Sequence, residues 1–92
     1  MRIFEWDEAK AAANIRKHGI SFRSATRAFD DSNGILSLDT RFDYGEERYN
    51  LVAAAEEFLL SVAFTEREGR IRIVSARKAT RQEKAQYRHL HP

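Results

Sequence analysis

The spacing of apolar residues changes period at Ile35, and this change restricts the fold more than any other feature of the chain. Before it, apolar side chains return every three or four residues, as on one face of a helix; after it they mark short extended runs between turn residues. Ile3, Phe4 and Trp6 predict a short opening strand or extended arm. Asp7 then caps a predicted helix running through AKAAANIRKH to Gly19. Asp7 and Glu8 sit at the positive end of its dipole and Arg16, Lys17 and His18 at the negative end, with Gly19 placed to close it in the left-handed conformation. A second helix is predicted from Ser21, where Phe22, Ala25, Ala28 and Phe29 form one narrow apolar stripe. It is ended by Asp30, Asp31, Asn33 and Gly34, and Phe22 and Phe29 are predicted core.

From Ile35 four strands follow: ILSLDT, ERYNLVAAA, FLLSVAFTER and RIRIVSARKA, separated by FDYGE, by Glu56 and Glu57, and by Glu68 and Gly69. The sequence Arg67-Glu68-Gly69-Arg70 suits a tight hairpin, because glycine accepts the positive φ such turns require. Strict alternation in the last strand puts Ile71, Ile73, Ser75 and Arg77 on one face, and Arg70, Arg72, Val74 and Ala76 on the other. Thr80 and Glu83 form a T-x-x-E capping box, so a final helix runs on through Lys84, Tyr87 and Arg88. The predicted fold class is α+β. Two amino-terminal helices pack on one face of a twisted four-stranded antiparallel sheet, with a short basic helix at the end.

At 92 residues the chain has room for one core, so residues 1–92 are read as one domain. It has no cysteine, which excludes disulfide staples and thiolate metal sites. It has no apolar run long enough to span a membrane, and its start, MRIFEWDEAK, lacks the apolar stretch of a secretory signal. A cytoplasmic location is expected. The net charge of +2 conceals a polarised molecule: residues 66–92 carry eight Lys and Arg against three Asp and Glu, whereas residues 1–65 carry eight against eleven. An arginine-rich strand turning into a capped basic helix is an arrangement that grips phosphate or an acidic partner.

The segments FEWDEAKAAANIRKHGISF, DYGEERYNLVAAA and IRIVSARKATRQEKAQY together resemble the BrnT family of toxins from bacterial type II toxin-antitoxin pairs. The most specific elements are Lys17-His18-Gly19 after a helix carrying Asn14, Glu47-Arg48 opening a strand, and Ser75-Ala76-Arg77-Lys78-Ala79 running into a helix with Glu83 and Tyr87. The resemblance implies a small RelE-like ribonuclease that cuts RNA without a metal or other cofactor and so inhibits translation. It also implies a cognate BrnA-like antitoxin, a DNA-binding dimer that would link two toxins with two antitoxins and bring the complex to operator DNA. The chain departs from the family where a strand ends in AAAEE, a turn at which a glycine is expected.

Metal-free RNA cleavage needs a base for the 2′-hydroxyl proton, cations around the phosphorane, and an acid for the departing 5′-oxygen. His18, whose imidazole can take or give a proton, is the candidate base or acid, with Lys17 adding positive field; equally, His18 can simply complete its helix. Arg77 is the foremost phosphate ligand, since a guanidinium holds two phosphate oxygens at once. Arg48, Arg72, Lys78 and Arg81 are the further RNA-binding candidates. The alternative for Arg72 and Arg77 is that they are solvated or pair at the surface with Glu47 and Glu66. Glu47 is either a general base among neighbouring arginines or a structural salt-bridge partner. Tyr87 can stack on a base or donate a proton, or pack against the sheet.

Trp6 and Tyr49 invite the same stacking role, but Trp6 is assigned to core or interface. His89 with His91 makes at most a weak metal site, and the acidic loop of Asp39, Asp43, Glu46 and Glu47, interrupted by Arg41 and Arg48, is read as a solvated turn. No metal site is expected. A second function class stays open: a non-catalytic module whose basic face seats an acidic partner or contacts operator DNA beside it.

Overall fold

A computed structural model describes residues 2–39 and 46–90. The predicted turn FDYGE, with Arg41 and Asp43, therefore lies largely outside the described residues, as does His91. The elements follow in the order β1 (Ile3–Glu5), α1 (Glu8–His18), α2 (Phe22–Ala25), a 3₁₀ turn (Thr26–Asp30), β2 (Ile35–Asp39), β3 (Arg48–Ala55), β4 (Phe58–Arg67), β5 (Arg70–Lys78) and α3 (Arg81–Leu90). The caps of α1 match expectation. The Asp7 carboxylate accepts from the Lys10 backbone N–H at 3.0 Å, and Gly19 closes the helix at φ 72°. No described helix is long and apolar enough to cross a membrane.

Three features correct the sequence-based expectation. The sheet is five-stranded and mixed, in the order β1-β5-β4-β3-β2, because the opening segment is a strand that pairs parallel to β5, Ile3 opposite Arg70 and Glu5 opposite Arg72. Three residues are too few to carry a strand period, so only this distant partner defines β1. The second helix is a four-residue turn of α-helix tightening at once into the 3₁₀ turn, in keeping with its short stripe. Third, β5 carries a bulge: Phe64 lies opposite Ile73 and Ala63 opposite Ser75, leaving Val74 as the extra residue. The alternation inverts there. Ala76 joins Ile73 on the core face, and Ser75 and Arg77 move to the face of Arg70 and Arg72.

α2 and the 3₁₀ turn cover one sheet face, with α1 beside them at the β5 edge. Phe22, Ala25, Ala28, Leu51, Ala53, Leu60, Val62, Phe64, Ile73 and Ala76 are buried there, with Phe4, Trp6 and Phe29 packed around them. Edge-to-face contacts join Trp6 to Phe22 at 6.0 Å and Phe29 to Phe64 at 5.0 Å, which places Trp6 at the rim of the core. On the opposite face Val52, Ser61 and Thr65 are also buried, so that face is not simply open.

Two-residue turns set both long hairpins. Glu68 and Gly69 have φ of 51° and 78°, the pattern of a type I′ turn. Between β3 and β4, Ala55 pairs with Phe58, and Glu56 takes φ 57° where a glycine would be unstrained. The departure from the family pattern noted in the sequence is thus a strained residue in the fold. Glu56→Gly is expected to raise stability by about 0.5 kcal/mol, the relieved strain being partly offset by the freer unfolded chain. Urea denaturation of the two proteins measures it.

Candidate RNA-cleavage site

β1 leads directly into α1, which runs along the free edge of β5 beyond the three residues paired with β1. The Asn14 side-chain amide fastens it there: it donates to Ala76 O at 2.7 Å and to Ile20 O at 2.9 Å, and its oxygen accepts from Ala76 N at 3.1 Å. A side chain thus satisfies both backbone groups of Ala76 as a neighbouring strand would. From that point His18 lies four residues on, about 6 Å of helix, while Lys78 lies two residues on, about 7 Å of strand. Lys17, His18, Arg77, Lys78 and the start of α3 with Arg81 therefore converge on one end of the sheet. Lys17 is exposed and His18 half-buried.

Arg77 is held in place. Its guanidinium donates to both carboxylate oxygens of Glu83, at 2.8 and 3.1 Å, and to Lys78 O at 3.2 Å. The same carboxylate accepts from Thr80 N at 2.8 Å, and Thr80 Oγ1 accepts from Glu83 N at 3.2 Å, completing the capping box. Hydrogen bonding from Arg77 holds the Glu83 carboxyl below its ordinary value. The arginine thus pairs with Glu83, not with Glu47 or Glu66 as the sequence alternative had it. The pairing uses a partner six residues away across a helix start, which strand periodicity cannot reveal.

The remaining candidates lie elsewhere. Glu47 and Arg48 open β3 at the opposite end of the sheet, together with Arg72. Arg72 and Arg77 share a face, but their partners Thr65 and Ser61 are four residues apart on β4, about 13 Å. Arg72 is paired with Glu5 at 3.2 Å; Arg70 reaches Glu5 at 3.0 Å, and Arg67 forks onto Glu46 at 2.9 and 3.1 Å. Glu47 receives a long contact from the Tyr49 hydroxyl, 3.5 Å. The ring of Tyr49 is stacked on Phe64, so it serves the core.

Tyr87 points along α3 to Asp31, donating at 2.6 Å to a carboxylate oxygen that also accepts from Ala54 N at 2.8 Å. This bond raises the phenol pKa. Tyr87 and Asp31 fasten an otherwise shallow helix, since no residue of α3 is fully buried. No local pattern in the chain announces this clasp. Among the described residues no group of three or more His, Asp or Glu is arranged to hold a metal ion.

A family model described as the ribonuclease toxin BrnT of type II toxin-antitoxin systems matches residues 6–83. The chain belongs to the BrnT family. No curated protein matches it. The BrnT match runs from Trp6 through α1, the whole β2–β5 sheet and the capping box to Glu83. It thereby takes in the end of the sheet where Lys17, His18 and Arg77 converge. Membership of a type II toxin family implies a protein antitoxin as partner.

Proposed function

We propose that this chain is a metal-independent endoribonuclease of RelE-like fold that inhibits translation and growth by cutting RNA, and that a BrnA-like, DNA-binding antitoxin neutralises it in the cytoplasm. The observation that carries the reading is the position of Arg77. A bulge turns it away from the core, Glu83 fixes its guanidinium, and α1 delivers Lys17 and His18 to the same end of the sheet. In the proposed reaction His18 takes the proton of the 2′-hydroxyl, whose oxygen attacks the adjacent phosphorus. Arg77, with Lys17, stabilises the charge that gathers on the phosphorane. The P–O5′ bond breaks, and a proton returned to the 5′-oxygen leaves a cyclic phosphate and a free hydroxyl.

Lys78 and Arg81 would hold the phosphates beside the scissile one. Arg48, Arg72 and Glu47, at the far end, would contact RNA a few nucleotides away, and Tyr87 would serve through its hold on α3. Two toxins bound to an antitoxin dimer, and through it to operator DNA, complete the proposal.

The test is incubation of the purified chain with cellular RNA in excess EDTA, beside a His18→Ala variant that circular dichroism shows to be folded. The wild-type chain is expected to cut, and the variant to lose about 10²–10⁴-fold in rate, the range of a general acid–base group. Cutting that disappears in EDTA would overturn the metal-free mechanism. No cutting with or without ribosomes would leave the basic end as a seat for an acidic partner only.

A further inference from the structure

The closed end of the β3–β4 hairpin faces the junction of α1 and α2 across a cleft of about 330 Å³ that none of the proposed catalytic groups uses. Ile20, Ala55 and Leu60 form its apolar floor, and Glu56, Glu57 and Phe58 its rim. The Phe58 ring is 46% exposed, and the Lys78 ammonium lies 4.4 Å from its centroid. The cleft also includes Gly19, the residue after His18. Apolar surface, an exposed ring and two carboxylates thus lie beside the end of the sheet that carries Lys17, His18 and Lys78.

We propose that this cleft is a nucleobase subsite and that it takes guanine from the RNA substrate; the inference rests on the ribonuclease reading above. The volume lies at the small end of ligand clefts, roughly 300–1,000 Å³, and accommodates one planar base. A docked helix, about 10–12 Å across with its side chains, needs a long groove instead. An exposed aromatic ring beside cations is the chemistry by which proteins hold unstacked RNA bases and the phosphates joined to them.

The carboxylates select the base. Guanine presents two adjacent N–H donors on its Watson–Crick edge, at N1 and N2, which one carboxylate accepts together; adenine, cytosine and uracil each present a single donor position there. Glu56 stands in this rim at the cost of a left-handed backbone that a glycine would adopt freely. From that turn Glu56 lines the cleft. Without such a role, two adjacent carboxylates would only repel the phosphates of an RNA lying beside them.

Fluorescent octanucleotides with 2′-O-methyl groups cannot be cut, so they report binding alone. In a uridine background, one guanine is expected to bind the wild-type chain about tenfold more tightly than one adenine, with inosine, which lacks the N2 amine, in between. Glu56→Gln with Glu57→Gln is expected to erase that order, the adenine oligomer tightening as the repulsion is lost while the guanine oligomer loses its carboxylate partner, and Phe58→Ala to weaken all of them by about tenfold. Absence of a guanine preference in a chain that does cut RNA would overturn this inference and leave the ribonuclease reading intact. A chain that neither cuts RNA nor binds any oligomer would overturn that reading itself. If Phe58→Ala loosens the antitoxin complex and leaves RNA binding unchanged, the cleft belongs to the antitoxin and the proposal fails.

Discussion

Asn14→Leu is expected to cost about 4 kcal/mol of stability, a large share of the roughly 5–15 kcal/mol available to a domain of this kind. The side chain is buried at 7% exposure and makes three hydrogen bonds, two of them to Ala76. Leucine fills much the same volume but leaves the N–H and C=O of Ala76 and the C=O of Ile20 without partners in a dry contact. Urea and thermal denaturation should both show the loss, with the melting temperature falling by roughly 15–30 °C.

Asn14→Asp is the sharper control. It keeps the acceptor for Ala76 N but turns a carboxylate oxygen toward two carbonyl oxygens. Its folded-state pKa is therefore raised, so the variant should regain stability as the pH falls and the acid becomes protonated, and lose it again as the pH rises. A cost below about 1 kcal/mol for Asn14→Leu would mean that packing alone holds α1 to β5.

Arg77→Ala is expected to lower the rate of RNA cleavage by about 10²–10³-fold, the effect of removing one preorganised group that stabilises transition-state charge. Arg77→Lys should recover little of it, because a single ammonium cannot hold the Glu83 carboxylate in a planar fork and present further N–H donors to a phosphate as a guanidinium does. The structural cost is smaller. The Arg77 side chain is 39% exposed, so losing its pair with Glu83 removes about 1 kcal/mol after solvent screening.

The double variant Arg77→Ala, Glu83→Ala separates the two effects. Removing both partners leaves no half-buried carboxylate without its arginine, yet activity should stay as low as in Arg77→Ala. Recovered cleavage in the double variant would show that Arg77 acts only by holding Glu83. Acid probes the same pair: because the Glu83 carboxyl is held below its ordinary value, its contribution is complete above that value and fades as the pH falls through the depressed one.

Local chemistry made much of this legible in the sequence. Asp7 and Gly19 mark the ends of α1, Glu68 and Gly69 the β4–β5 hairpin, and Thr80 and Glu83 the start of α3, because each signal is carried by residues a few positions apart. The BrnT resemblance likewise needed only motifs in order along the chain, and the family match over residues 6–83 agrees with it. The candidate residues Lys17, His18 and Arg77 could be named from their chemistry, but not their neighbourhood.

What depends on distant partners was decided by the tertiary structure. β1 exists because Ile3–Glu5 finds the edge of β5 some seventy residues away in sequence. The bulge at Val74 arises from how β5 meets β4, and it reversed the face expected for Arg77 and Ser75. Asn14 reads as a polar residue on an alanine-rich helix until Ala76 is seen beside it. Glu47 and Arg77 look like companions in sequence motifs, yet strand direction sets them at opposite ends of the sheet. The sequence by itself determined α1, α3, the β4–β5 hairpin, their caps and the family, since propensity, capping and turn chemistry act over a few residues. Only the folded chain decided which charges meet, because pairing across a sheet sums many weak long-range contacts that no local pattern encodes.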